Sequence, residues 1–244
     1  MDRLVYTALS GMQRAQEAQA VTANNLANLS TPGFRREMTA LSAGWLVAQS
    51  PAGSARVQSG GEAPVDLRQP GRVVVTDRSL DIAMEGGAWL GVADAGGNPA
   101  LTRRGDLRID AGGQLVTGSG HAVLGDDGPI RLPSDFASAR IARDGSVEIL
   151  AAGESSWTPV GRLMLQSPPA DTLSRGEDGL FRSPAGERDP AAAVQVGALE
   201  QSNMDAATAL VELVEQSRRF ELQTRLLTAA REMDEGSAAL MRVD

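Results

Sequence analysis

An α+β fold, with one long helix at each end of the chain and an all-β domain (a sandwich or partly open barrel) between them, is predicted by three features. A proline-free stretch dominated by alanine, glutamine and leucine runs from Arg3 to Leu29. Apolar and small residues recur every three or four positions from Ala206 to Leu240. Between the two, short β-branched and apolar runs alternate with Asp-Gly and glycine-rich turns.

The first helix is expected within residues 1–33. Alanine, glutamine and leucine all favour helix. Val5, Leu9 and Met12 share one face, and Ala23 and Leu26 rejoin it, with Gln16 and Gln19 making the strip partly polar. Ser30-Thr31-Pro32-Gly33 stops the helix, because a residue before proline leaves the helical region and glycine opens a left-handed turn. Residues 34–70, with glycine, proline and serine among short apolar runs, predict an extended linker with one helical turn near Ala40 to Val47.

Residues 71–166 form the β-rich domain. Val73 to Thr76, Trp89 to Val92 and Leu107 to Ile109 are short strands bounded by turn residues. Hairpin turns are expected at Asp94 to Pro99, at Asp110 to Gly113 and at Asp144-Gly145, where an Asp-Gly step supplies the positive φ of a tight turn. Residues 167–198 return to proline, glycine and charge and predict a second linker. The second helix is expected over 199–244. Ala206, Leu210, Leu213, Ser217, Phe220, Thr224, Leu227, Ala230, Met233, Ser237 and Leu240 make a seam of mixed size, as in a coiled coil, weakened near its end by Gly236. At 1.5 Å per residue the two helices run roughly 40 and 55–60 Å. An apolar stripe of that length needs a partner, so the helices are expected to pair with each other and with neighbouring molecules.

Composition narrows the chemistry. The net charge is −8 and all 23 basic residues are arginine, so a polyanion is repelled overall and no nucleic-acid partner is expected. Lacking lysine, the chain cannot form a Schiff base or a phosphate-loop ammonium. Lacking cysteine, it has no disulfide, thiolate nucleophile or cysteine metal site. Aromatic content of 3% argues against a large aromatic-lined pocket, so no small-molecule substrate is expected. His121 stands alone, Gly118-Ser119-Gly120 lacks the G-x-S-x-G spacing, and Asp126-Asp127-Gly128 lacks the ligand count of a calcium loop. Neither catalytic, cofactor nor metal residues are therefore predicted, and no membrane insertion, since no stretch approaches ~20 apolar residues. Polar residues from Ser10 to Glu17 interrupt any signal-peptide core.

Several motifs stand in a telling order. Ala23-Asn24-Asn25-Leu26-Ala27-Asn28 is followed by Thr31-Pro32-Gly33-Phe34-Arg35. Leu80 to Gly86, Thr102-Arg103-Arg104-Gly105, Gly113 to Thr117 and Gly120 to Gly125 follow, and Leu199-Glu200-Gln201-Ser202-Asn203-Met204 precedes Leu213-Val214 and Arg219-Phe220-Glu221. Together these cover about three quarters of the chain and resemble the flagellar axial proteins, the rod, hook and hook-associated subunits. Met1 to Ala8, Pro159 to Leu163, Gly176 to Phe181 and Phe220 to Gln223 are most similar to the proximal-rod members; distal-rod or hook-type subunits are the next match. Gly86-Gly87-Ala88-Trp89 departs from the family's usual acidic or polar residue between glycine and aromatic.

The resemblance implies a structural subunit, not an enzyme, that polymerises helically, encloses an export channel and transmits torque. Its terminal helices would form an inner coiled-coil layer. Partners would be other proximal- and distal-rod subunits and the flagellar type III export apparatus, with residence in the periplasmic rod and no cleaved signal. Leu9, Met12, Asn24, Asn25, Leu26, Asn28, Pro32, Gly33 and Phe34, with Leu210, Leu213, Phe220, Leu227, Met233 and Leu240, would carry subunit packing. Buried asparagines would set register, since one alignment satisfies their amides, although asparagines at a helix end have the same sequence. Pro32-Gly33-Phe34 would turn the chain and pin it. In an isolated subunit the helix bearing Leu213, Phe220 and Leu227 would lack burial and its ends would exchange fast. Rival classes are an extracellular β-sandwich hydrolase, which needs a pocket joining His121 to carboxylates, and a trimeric adhesin or phage fibre.

Overall fold

The computed structural model describes residues 2–38, 69–184 and 188–240; at 2–8, 10, 230 and 234–240 only the backbone is described. The expected linker 34–70 therefore lies mostly outside the described residues, as do the side chains of Val5 and Leu240. The chain divides into two units. One is helical, with described residues 2–29, 36–38 and 204–240; the other is β-rich, with 30–35, 69–184 and 188–203.

In the helical unit, α1 (Asp2–Ala27) packs along α2 (Ala206–Leu240). On α2 burial falls at Ala206, Ala209, Leu213, Gln216, Phe220, Gln223 and Leu227, alternating three and four residues apart. Leu213, Phe220 and Leu227 lie half-buried on this seam, so the expectation that they lack burial in the isolated subunit is overturned for these three. The intermediate positions are displaced by one: Leu210, Ser217 and Thr224 turn outward while Ala209, Gln216 and Gln223 turn in. On α1 the deep positions are Ala15, Ala18, Thr22 and Asn25, with Gly11 ahead of them. A Cβ at Gly11 would come within 3.0 Å of the Gln223 amide, so small residues let the two helices approach. Leu9 and Ala23 are exposed and Met12 and Leu26 half-buried, so the larger apolar residues read as α1's face lie beside this seam.

Local chemistry sets the helix ends. Asn28 and Leu29 close the last turn of α1 through amides to Asn24 and Leu26. Asp205 caps α2: its Oδ2 accepts the Thr208 amide (2.9 Å) and hydroxyl (3.0 Å), and these bonds hold its carboxyl below the ordinary range. The second helix thus begins at Ala206 and not at 199, because Ala198–Glu200 is a strand. No helix among the described residues is long and apolar enough to cross a membrane.

The β unit is built on a five-stranded antiparallel sheet ordered Leu165–Gln166, Trp89–Ala93, Pro99–Thr102, Phe181–Arg182, Ser174–Arg175. A three-stranded meander (Thr158–Arg162, Ser146–Ala151, Phe136–Ile141) and four two-stranded ribbons complete it. These small sheets share one core of Ile82, Leu90, Val92, Leu107, Leu115, Val123, Val147, Leu163 and Val194, without closing a barrel. The three predicted hairpins are present, and each starts with an aspartate whose carboxylate accepts amides ahead of it. Asp94 takes Gly96 and Asn98, Asp110 takes Gly112 and Gln114, and Asp144 takes Ser146 beside Gly145 at φ +83°. Arg182 reaches from its strand to Asp94 (3.0 Å) and Asp178 (2.7 Å).

The segment 167–198 was expected to be a linker. It instead supplies Ser174–Arg175 and Phe181–Arg182 to the main sheet, buries Leu180 and Phe181, and contributes Val194–Val196 to a ribbon with Ile82–Met84. Its strands are two or three residues long, too short for alternation to mark them.

Candidate functional site

The β unit begins and ends at one buried charge cluster. After α1 the chain turns at Thr31–Phe34, where the Phe34 amide donates to the Thr31 carbonyl (3.3 Å). Gly33 holds φ +68°, and a Cβ there would run into the backbone of Arg103. Its amide donates to the Glu200 carbonyl (2.7 Å), and the Asn203 amide to the Phe34 carbonyl (3.3 Å). Phe34 is buried, with the Arg175 guanidinium 5.1 Å from its ring centre.

Glu200, 2% exposed, is the hub. Its Oε1 accepts Arg35 Nη2 (2.7 Å) and the Gly71 amide (3.0 Å), while Oε2 accepts Arg103 Nε (2.9 Å) and Arg103 Nη2. Arg35 and Arg103 are each 4% exposed. Arg103 also donates to the carbonyls of Met84 (3.0 Å), Gly86 (3.1 Å) and Ala88, closing the turn that departs from the family pattern. Arg35 donates to the Gln69 carbonyl, which accepts the Asn203 side chain as well (3.0 Å). Ionised groups this deep persist only where hydrogen bonds replace lost water. Here they do, on both carboxylate oxygens.

A second latch lies in the helical unit. Asn25, 1% exposed, donates through Nδ2 to the Glu37 carbonyl (2.8 Å) and accepts the Glu37 amide on Oδ1 (2.9 Å). Its amide fixes register within the chain, holding the segment that follows the turn. Asn24 reaches the Glu37 carboxylate (3.4 Å), and Asn28 folds back on Asn24 Oδ1 (2.8 Å). Beside them Arg36 pairs with Glu212 of α2 (2.6 Å).

Thus Asn25, Gly33 and Phe34 fall into built arrangements, whereas Leu9, Leu210 and Met233 are exposed. The residues that sequence reasoning passed over are Arg35, Arg103 and Glu200. All three lie inside the family-like motifs, but a charged residue reads as surface until its partner is known. Among the described residues no group of three or more histidine, aspartate or glutamate side chains is placed to hold a metal ion. His121 Nδ1 lies 3.0 Å from Ser119 Oγ in an exposed turn.

Residues 5–35 match the family described as Flagella basal body rod protein, 83–149 the Flagellar hook protein FlgE/F/G D1 domain, and 195–240 the Flagellar basal body rod FlgEFG protein C-terminal region. The chain is 37% identical to the flagellar basal-body rod protein FlgF of Escherichia coli (strain K12), over 94% of each chain. The chain belongs to the flagellar basal-body rod protein family. FlgF of Salmonella typhimurium is 38% identical over 98% of this chain and 97% of its own, and FlgG of Bacillus subtilis is 29% identical over 96% and 97%. Each matched region of this rod protein supplies one ionised member of the cluster: Arg35 from the first, Arg103 from the second, Glu200 from the third.

Proposed function

We propose that this rod protein is a structural subunit of the proximal rod, assembling helically with its neighbours around an export channel and passing torque through packed interfaces. The reading rests on α2. One side of that helix is occupied by its seam with α1, while Leu210, Val211, Val214, Leu222, Leu226 and Met233 stand exposed on the rest of its surface. Exposed apolar side chains in that number, set among Glu215, Arg218, Glu221 and Arg225, suit a contact face of mixed character. Heterologous contacts repeated by a screw rotation extend into a tube instead of closing.

In this reading α1, α2 and their counterparts in adjacent subunits form an inner coiled-coil layer, and the β unit makes lateral contacts. Leu9, Leu210 and Met233 serve packing between subunits; Asn25, Gly33 and Phe34 serve it indirectly, by shaping each subunit. Identity of 37–38% to FlgF of Escherichia coli and of Salmonella typhimurium, against 29% to FlgG of Bacillus subtilis, favours a place beside the proximal members. Other rod subunits are the partners. Delivery is by the flagellar type III export apparatus to the periplasmic rod, with a structural in place of a catalytic role.

Complementation tests the assignment. Expressed in a strain lacking FlgF, the chain restores hooks and filaments. Basal bodies that stop at the membrane ring despite normal expression and export of the chain would falsify it.

A further inference from the structure

We propose that Glu200 is the positioning residue of the subunit: its buried carboxylate fixes, within the β unit, the points at which the chain leaves for the helices and returns. This rests on the rod reading above and deepens it.

Four passages of the chain between units lead to described residues that are tied to Glu200, directly or through Arg35 and Gln69. The first two flank residues 30–35, where Gly33 donates to the Glu200 carbonyl and Arg35 to its carboxylate. The third precedes Gln69 and Gly71, which are held by Arg35 and by Glu200. The fourth follows Asn203, held by Phe34 and Gln69. Arg103 anchors the hub to the sheet through three carbonyls of residues 84–88. A hydrophobic plug could fill the same space, but it would have no directional preference. A carboxylate shared by two guanidiniums and a backbone amide is satisfied in one arrangement only, and removing one partner leaves a charge stranded. The core of the β unit centres instead on Leu90, Leu107, Leu163 and Val194, none of which belongs to the hub. Positioning and core stability are thus separable by mutation.

Two full-length variants test this. Glu200→Gln keeps the volume and removes the charge; the triple variant R35M/R103M/E200L replaces the hub by apolar side chains, a change that often leaves stability intact. Amide exchange is read segment by segment, and rod incorporation by complementation. In the triple variant the expected result is exchange faster by about a hundredfold at Gly33, Phe34, Gly71 and Asn203, with amides of Leu90, Val147 and Leu163 unchanged and incorporation lost; Glu200→Gln, which strands the two guanidiniums, speeds the core amides as well. A variant with loosened hub amides and wild-type incorporation overturns the proposal. So does uniform acceleration across the β unit in both variants, which would make Glu200 a plain stability residue. The wild-type chain is the control: if it fails to complement, the rod reading has failed and not the positioning role.

Discussion

Gly33 and Glu200 are joined backbone to backbone, the Gly33 amide donating to the Glu200 carbonyl at 2.7 Å, while a Cβ on Gly33 would collide with Arg103, the residue that grips the Glu200 side chain. Gly33→Ala must therefore either leave the left-handed region or push Arg103 aside. We expect it to destabilise the β unit by about 2 kcal/mol or more, read by denaturant unfolding followed through Trp89 fluorescence. An unchanged midpoint would mean that the turn tolerates a side chain.

Acid should loosen the sheet end held by Arg182. The Asn98 amide and then Arg182 hold the Asp94 carboxyl below its ordinary value of 3.8, and Arg182 does the same for Asp178. A depressed folded value means stabilisation that is complete above the unfolded pKa and disappears as pH falls through the folded one. Arginine stays charged throughout. Thermal stability from this cluster is thus level above about pH 5 and declines below about pH 4. Arg182→Met should lower stability at neutral pH and flatten the acid limb; an acid limb as steep as in the wild type would assign it to other carboxylates.

Leu163 sits 1% exposed among Val147, Leu165 and Ile130. Leu163→Ala should cost about 2–5 kcal/mol, since the surrounding sheets cannot collapse into the gap. Calorimetry on the full chain measures it. A loss under ~1 kcal/mol would show that the small sheets repack freely.

The two sides of α2 should separate in mutagenesis. Leu222→Ser with Leu226→Ser changes exposed residues, so monomer stability should stay within about 0.5 kcal/mol while rod incorporation fails. Phe220→Ala should weaken the α1–α2 pair itself, visible as lost helical circular dichroism on heating. If the double serine variant assembles normally, the exposed stripe is not a subunit contact.

Much of this fold was legible in the sequence for local reasons. Proline-free helices, Pro32-Gly33 and the three aspartate-led hairpins each depend on residues within a few positions of one another. The phase of the helix seam was not. Gln216 and Ser217, or Gln223 and Thr224, offer no apolar contrast, and at the remaining choice bulk favoured Leu210 where the close approach of the helices selects Ala209. Residues 174–182 and 194–196 were hidden for another reason: strands of two or three residues amid glycine and arginine carry no period. The Glu200 hub was hidden by distance, because Arg35, Arg103 and Glu200 become partners only through the folded backbone. The family motifs pointed to all three without disclosing that they touch.

The pairing of Val194–Val196 with Ile82–Met84 and of Ala198–Glu200 with Val73–Val75 sets a timetable. A polypeptide emerging amino end first, from a ribosome or through a narrow conduit, presents the earlier member of each ribbon well before the later one exists. Meanwhile Arg35 and Arg103 lack their Glu200 partner. Closure comes only at the end of synthesis, after the long loop between partners has been spanned. A molecule obliged to wait in this way gains its full cross-links only once its tail arrives.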